Sequence, residues 1–370
     1  MNFKKTTSNY FLILISILFY TNVNFGQKSN DITAIIPENV FESDSLVNLF
    51  VVGESHVDVN IDVNLALLFY LNKTQGVNKL GIEFPFGFTK YFNEFLFEDD
   101  ETIFTLLKKE DRLIYKDTKR ILTLIKQYNS EYSKDNPISV FGFDYASNNP
   151  KTQQLLLNLL FSETDSIKKL TQFCNFVSSE YYSDNLYELA IQVKALKVDL
   201  IKNRASYQTI LKDKFLLYEK VVESLIIRFD PIFTGTLEQF KIREKFIVNV
   251  ISDEIQKQEK AMIICGYAHG SKKVNDEYFF EDEFTSFSAE IGEQNKLKVY
   301  TIYEHYYLTK IASKLFKTDN LLSVPIESIV LSNKKCTFIN GENLDIHPLV
   351  QERFDMTIIH NQRVKYKLKL

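Results

Sequence analysis

Cysteine occurs only three times in the 370 residues, as Cys174, Cys265 and Cys336. So sparse and odd a set is no disulfide framework for an exported scaffold. No two cysteines stand at the spacing of a structural zinc site, and no His-Glu-x-x-His occurs. A Gly-x-Ser-x-Gly elbow and a Gly-rich phosphate loop are also missing, which disfavours a serine hydrolase and a nucleotide enzyme. Neither sign of charge dominates: 44 basic and 48 acidic side chains give a formal net charge of −4, with no electrostatic footprint for nucleic acid. Tryptophan is absent while Phe (31) and Tyr (20) are abundant, a bias to which we attach no mechanistic meaning.

Long apolar runs are confined to the N-terminus. Lys4 and Lys5 precede the apolar stretch from Tyr10 to Tyr20, the pattern of a secretory signal peptide. The stretch is short for a transmembrane span. Cleavage is expected near Gly26-Gln27, leaving a signal peptide over 1–26 and a mature domain over 27–370; an uncleaved anchor is the alternative. No cysteine follows the run, so a lipoprotein anchor is not supported. The expectation is an exported protein, periplasmic or secreted, with no integral membrane association after cleavage.

What the chain does have is 45% hydrophobic residues, enough for a substantial core. Four short apolar runs each deliver an acid or an imidazole at their C-terminal end. They are Val51-Val52-Gly53-Glu54-Ser55-His56, Leu80-Gly81-Ile82-Glu83, Val140-Phe141-Gly142-Phe143-Asp144 and Ile263-Ile264-Cys265-Gly266-Tyr267-Ala268-His269. Buried parallel strands read as continuous apolar runs, and ligands in open α/β sheets sit outside the carboxyl ends of the strands. The pattern therefore predicts an α/β fold with a mainly parallel central sheet flanked by helices.

Strands are expected at 49–53, 79–84, 138–143, 261–265, 298–303 and 353–359. Helices are expected at 64–71, 89–109, 117–130 and 237–258. Between Lys151 and Phe229 no strand signal occurs; a run of amphipathic helices there reads as a helical insertion, about 151–235, capping the strand C-terminal ends. No internal repeat or low-complexity segment is found.

Glu54 and His56 share a strand-to-loop turn, and side chains two apart on extended backbone point the same way. A carboxylate beside an imidazole suits a general base working on water. Glu83 and Asp144 end apolar strands, where a carboxylate needs a partner or a raised pKa; each is a second acid or base, or half of a structural ion pair. His269 supplies the second imidazole. Arg243 is a candidate to neutralise these acids or grip an oxyanion, although Arg243-Glu244 within a helix more ordinarily marks a solvated face. Cys265 reads as a buried, inert thiol, with a nucleophile beside His269 as the alternative. His305 is a weaker candidate, while His347 and His360 read as incidental turn residues.

Taken together, Val52-Gly53-Glu54-Ser55-His56, Gly81-Ile82-Glu83, Phe141-Gly142-Phe143-Asp144, Arg243-Glu244-Lys245-Phe246-Ile247-Val248-Asn249 and Cys265-Gly266-Tyr267-Ala268-His269 resemble the erythromycin esterase-like family, part of the EreA/ChaN-like group. Arg353-Phe354-Asp355 is similar to that family's closing strand. The resemblance implies an α/β core with a helical cap and a cleft at the strand ends. It implies hydrolysis of a small-molecule ester by water activated through His56, with Glu54 and Glu83 assisting and His269, Asp144 and Arg243 shaping the site, and with no cofactor. The Glu54-Ser55-His56 spacing is one residue shorter than the usual esterase pattern and closer to the ChaN-like branch, whose members resemble haem-binding lipoproteins. Two alternatives follow. One is an envelope protein binding haem or another small ligand. The other is a divalent-metal-dependent protease or hydrolase of Tiki/TraB type, with Glu54, His56, Glu83 and His269 as ligands.

Overall fold

The computed structural model describes residues 46–54, 61–108, 112–146, 150–161, 170–178, 186–229, 236–255, 259–274, 284–294, 297–306, 336–340 and 352–360, with the single positions 36, 41 and 368. The expected signal peptide (1–26), His56 and His347 lie outside these residues.

The chain opens with strand β1 (Leu49–Glu54), helix α1 (Ile61–Gln75) and strand β2 (Lys79–Pro85), a parallel crossover unit. Helices α2 (Thr89–Glu98), α3 (Thr102–Leu107) and α4 (Arg112–Glu131) lead to β3 (Ser139–Asp144). Then come α5 (Pro150–Phe161), α6 (Thr171–Ser178), α7 (Leu186–Lys202), α8 (Arg204–Leu211), α9 (Phe215–Phe229) and α10 (Leu237–Glu254). Strand β4 (Ala261–Gly266), helix α11 (Phe287–Glu293) and strands β5 (Val299–Tyr306), β6 (Cys336–Asn340) and β7 (Met356–His360) complete the order.

The seven strands form one sheet in the order β3-β2-β4-β1-β5-β7-β6. Six run parallel, and β6 pairs antiparallel with β7 at the edge. The architecture is thus the expected α/β fold. Strand β1 is central and buried along its whole length, which its unbroken Leu49-Phe50-Val51-Val52 run requires. Because β4 lies between β1 and β2, Glu54 registers with Gly266 while Ile82 registers with Ile264. The carboxyl ends of β1, β2 and β4 therefore finish side by side.

Several details depart from the sequence expectation. The helix expected over 89–109 is two helices, because Asp99 adopts a left-handed φ of 62° and the Asp100 carboxylate caps Thr102 N–H at 2.7 Å. The helix expected to reach 258 ends at Glu254. Neither β6 nor α11 was expected: both are short, and β6 depends on pairing with distant β7. Strand β2 bulges between Ile82 and Pro85 against β3. The bulge requires glycine at 142, where a Cβ would meet Pro85 O at 2.5 Å and Phe84 O at 2.7 Å. Between β3 and β4 the described residues form helices and no strand, consistent with the expected insertion. No helix among the described residues is long and apolar enough to cross a membrane.

Candidate active site

A cleft of about 670 Å³ opens where β1, β2, β3 and β4 end. Its apolar wall includes Ile61, Leu65, Ile82, Ile121, Phe240 and Ile264, and its polar lining includes Glu54, Glu83, Asp144 and Arg243. Volume and mixed lining suit a small organic ligand.

Arg243 organises the polar wall. Its Nε and Nη2 donate to both oxygens of Asp144 at 2.8 Å each, a bidentate pair, and Nη2 also donates to Glu83 Oε1 at 2.6 Å. Nη1 lies 3.2 Å from His269 Nε2. Arg243 comes from α10, Glu83 from β2, Asp144 from the end of β3 and His269 from the turn after β4, so four segments meet through one guanidinium. Glu83 is held further by Gly266 N–H, which donates to its Oε2 at 3.0 Å. Burial works against the Arg243 charge, but Asp144 and Glu83 outweigh it and hold the group protonated well above its ordinary range. For Asp144, burial pushes upward and the Arg243 charge and hydrogen bonds pull downward.

His269 is clasped from both sides by consecutive residues of one helix. Its Nδ1 lies 2.6 Å from Glu244 Oε1, and Glu244 Oε2 accepts Phe287 N–H at 2.6 Å. Burial depresses the imidazole pKa, but Glu244 more than restores it, leaving the net shift upward.

Glu54 closes β1, 6% exposed, and its Oε2 accepts Asn64 Nδ2–H at 3.1 Å. Burial first, then the nearby charges of Glu304 and Glu83, raise its pKa well above the ordinary carboxylate value, against the Asn64 hydrogen bond. The structure thus brings Glu83, Asp144, Arg243 and His269 into one bonded cluster and places Glu54 on the same cleft. His56 follows Glu54 by two residues and lies outside the described part of the chain.

Arg243 and Glu244 are not on a solvated helix face; they are 8% and 1% exposed. The signal was present in the spacing. Gln239, Arg243, Ile247 and Ile251 recur every four residues on the buried side of α10, and Glu244, Val248 and Ile251 run beside them. His360 is no incidental turn residue either. It ends β7, is fully buried and pairs with Glu304 of β5 at 3.2 Å. Its role was hidden because Glu304 and His360 meet only through strand pairing. His305 lies in β5, and its side chain is outside the described set. Cys265 is buried, its Sγ donates to Val52 O at 3.7 Å, and burial pushes its thiol well up, which is poor chemistry for a nucleophile.

Of the four alternative metal ligands, Glu54, Glu83 and His269 are described, and no three acid, histidine or cysteine side chains form a metal-ligand cluster among the described residues. Arg243 supplies the cation that Glu83 shares, at 2.6 Å.

No family model matches the chain, and the curated proteins give no match. Solved structures do match. A mutant of the erythromycin esterase EreC in an open conformation is 13% identical, with 87% of this chain and 92% of that one covered at a TM-score of 0.61. A structure described as a succinoglycan biosynthesis protein is 13% identical, with 90% and 95% covered at a TM-score of 0.60. ChaN of Campylobacter jejuni with cofacial haem is 10% identical, covering 88% and 92%, at a TM-score of 0.39 that carries no argument. At these identities the likeness establishes a shared fold, that of erythromycin esterase-like structures, and leaves the reaction to the site.

Proposed function

We propose that the protein hydrolyses carboxylic esters of small molecules in the cleft at the strand ends. The observation that carries this reading is the cluster joining Glu83, Asp144, Arg243 and His269 on a cleft that Glu54 also lines. The fold shared with an erythromycin esterase structure supports it.

Water attacks the ester carbonyl carbon, the acyl C–O bond breaks, and a carboxylic acid and an alcohol leave. His56, two positions after the last residue of β1 in the sequence, takes a proton from the water as it attacks. Burial, then the charge of Glu304, raise the Glu54 pKa and favour its protonated form, which suits it to protonate the departing alcohol oxygen. The proton held by His56 then returns to Glu54 through solvent, restoring both groups. Of the five N–H groups of Arg243, one on Nη1 remains after those directed at Asp144, Glu83 and His269. That donor is available to the developing oxyanion, on a guanidinium already fixed in place by its carboxylates.

Hydrolysis of a panel of 4-nitrophenyl and alkyl esters tests the reading. Wild type should turn over at least one ester class, and His56→Ala and Glu54→Gln should each lose about 10²- to 10⁴-fold in kcat. A panel left uncleaved by wild type, or a His56→Ala variant as active as wild type, refutes the assignment.

A further inference from the structure

A second arginine faces the same cleft, bonded to no carboxylate among the described residues. Arg228 sits near the C-terminal end of α9, in the helical insertion, and lines the cavity with Arg243 and Tyr145. Its guanidinium lies 5.2 Å from the centre of the Tyr145 ring, and its Nη1 donates to Tyr145 Oη at 2.6 Å. Arg243 approaches the same ring at 5.0 Å. Their surroundings differ sharply. Arg243 is bound to two carboxylates, whereas Arg228 pairs with no carboxylate among the described residues.

Glu83 and Asp144 share the single Arg243 cation. Glu54 is hydrogen-bonded to Asn64 and driven toward its neutral form by burial. Asp117 also lines the cleft, and burial raises its pKa against the downward pull of Arg120 and Lys116. Arg228 is thus a cation anchored by one hydrogen bond to Tyr145, with most of its N–H donors uncommitted, beside a largely apolar wall. A planar guanidinium with open donors matches a carboxylate or another oxyanion.

Building on the hydrolase reading, we propose that Arg228 is a specificity-determining residue, and that the substrate is an apolar ester carrying one anionic group, which Arg228 binds while the ester bond lies at Arg243 and Glu54. The acyl or alcohol portion then packs on Ile61, Leu65, Ile121 and Phe240.

Two esters with the same six-carbon acyl chain make the test: 4-nitrophenyl hexanoate, which is neutral, and mono(4-nitrophenyl) adipate, which ends in a carboxylate. Wild type should favour the adipate in kcat/KM by about tenfold or more, the size expected for one charge-assisted hydrogen-bonded contact. In Arg228→Gln the ratio of the two kcat/KM values should collapse toward one, chiefly through a higher KM for the adipate. Arg228→Lys guards against loss of fold in the Gln variant; it should keep part of the preference, and that part should shrink with added salt. No preference in wild type, or both esters declining in parallel in Arg228→Gln, overturns the proposal and leaves Arg228 as a latch between cap and sheet. If neither ester is cleaved, the hydrolase reading is what fails. Calorimetric binding of adipic acid monoanilide against hexananilide then decides Arg228 independently: tighter binding of the anionic anilide, lost in Arg228→Gln, supports the assignment, and equal binding overturns it.

Discussion

The Nδ1 of His269 lies 2.6 Å from Oε1 of Glu244, the residue directly after the arginine that meets the opposite nitrogen of the same ring. Two neighbours on α10 thereby flank an imidazole that arrives from the turn after β4. The pairing converts a sequence dipeptide that reads as helix surface into the support of the site.

Glu244→Gln should lower the His269 pKa from above its ordinary value to below it. The carboxylate is what overcomes burial and the neighbouring Arg243 charge. With only five histidines in the chain, ¹H–¹³C NMR titration resolves the ring and His269→Gln assigns it. The linked stability has a definite sign. A histidine whose folded pKa is raised contributes stability fully below its unfolded pKa of about 6.5, and the contribution disappears as pH rises through the folded value. The Tm gap between wild type and Glu244→Gln should therefore be wider at pH 5.5 than at pH 9. An unmoved His269 midpoint in the variant rules out this partnership.

Arg243→Met should cost about 3–5 kcal/mol, because it leaves the Glu83 and Asp144 carboxylates largely buried and facing each other without their cation. Adding Glu83→Gln and Asp144→Asn to the same variant should recover much of that loss, since the uncompensated charges are then gone. Urea unfolding followed by circular dichroism measures both. A single-variant loss below about 1 kcal/mol means that the cluster contributes little to folding.

Glu54→Gln should become more stabilising, relative to wild type, as pH rises. The folded pKa of Glu54 lies above its unfolded value near 4.5. Its favourable contribution is thus complete below about pH 4.5 and lost as pH climbs through the folded pKa, where a buried charge appears beside Glu304. Gln keeps the acceptor for Asn64 without that charge. Thermal melts should show nearly equal Tm near pH 5 and a gap of several degrees, roughly 4–8 °C per kcal/mol in a small domain and less in this larger one, by pH 9. A difference that stays flat across the range contradicts a raised Glu54 pKa.

Much of the frame was legible in the residues. Parallel strands buried on both faces leave unbroken apolar runs, so Leu49–Gly53 and Ala261–Cys265 announce themselves, and an acid or imidazole closing such a run stands out against it. Arg243 was legible only in part, because an arginine on a helix is ordinarily solvated and its stripe was defined by Gln239 as well as by apolar residues. The Glu304–His360 pair, the split at Asp99 and strand β6 were not legible, since each depends on pairing or backbone geometry outside its own segment.

By itself, then, the sequence determined the alternation of strands and helices and the acid or imidazole at each strand end, because periodicity and burial act over a few neighbouring residues. Only the tertiary structure decided which charges meet. Arg243 reaches Asp144 across 99 positions and Glu83 across 160, and Arg228 reaches Tyr145 across 83. Electrostatic attraction falls with distance in space and takes no account of distance along the chain. Pairing therefore exists only once the strands have taken their order in the sheet.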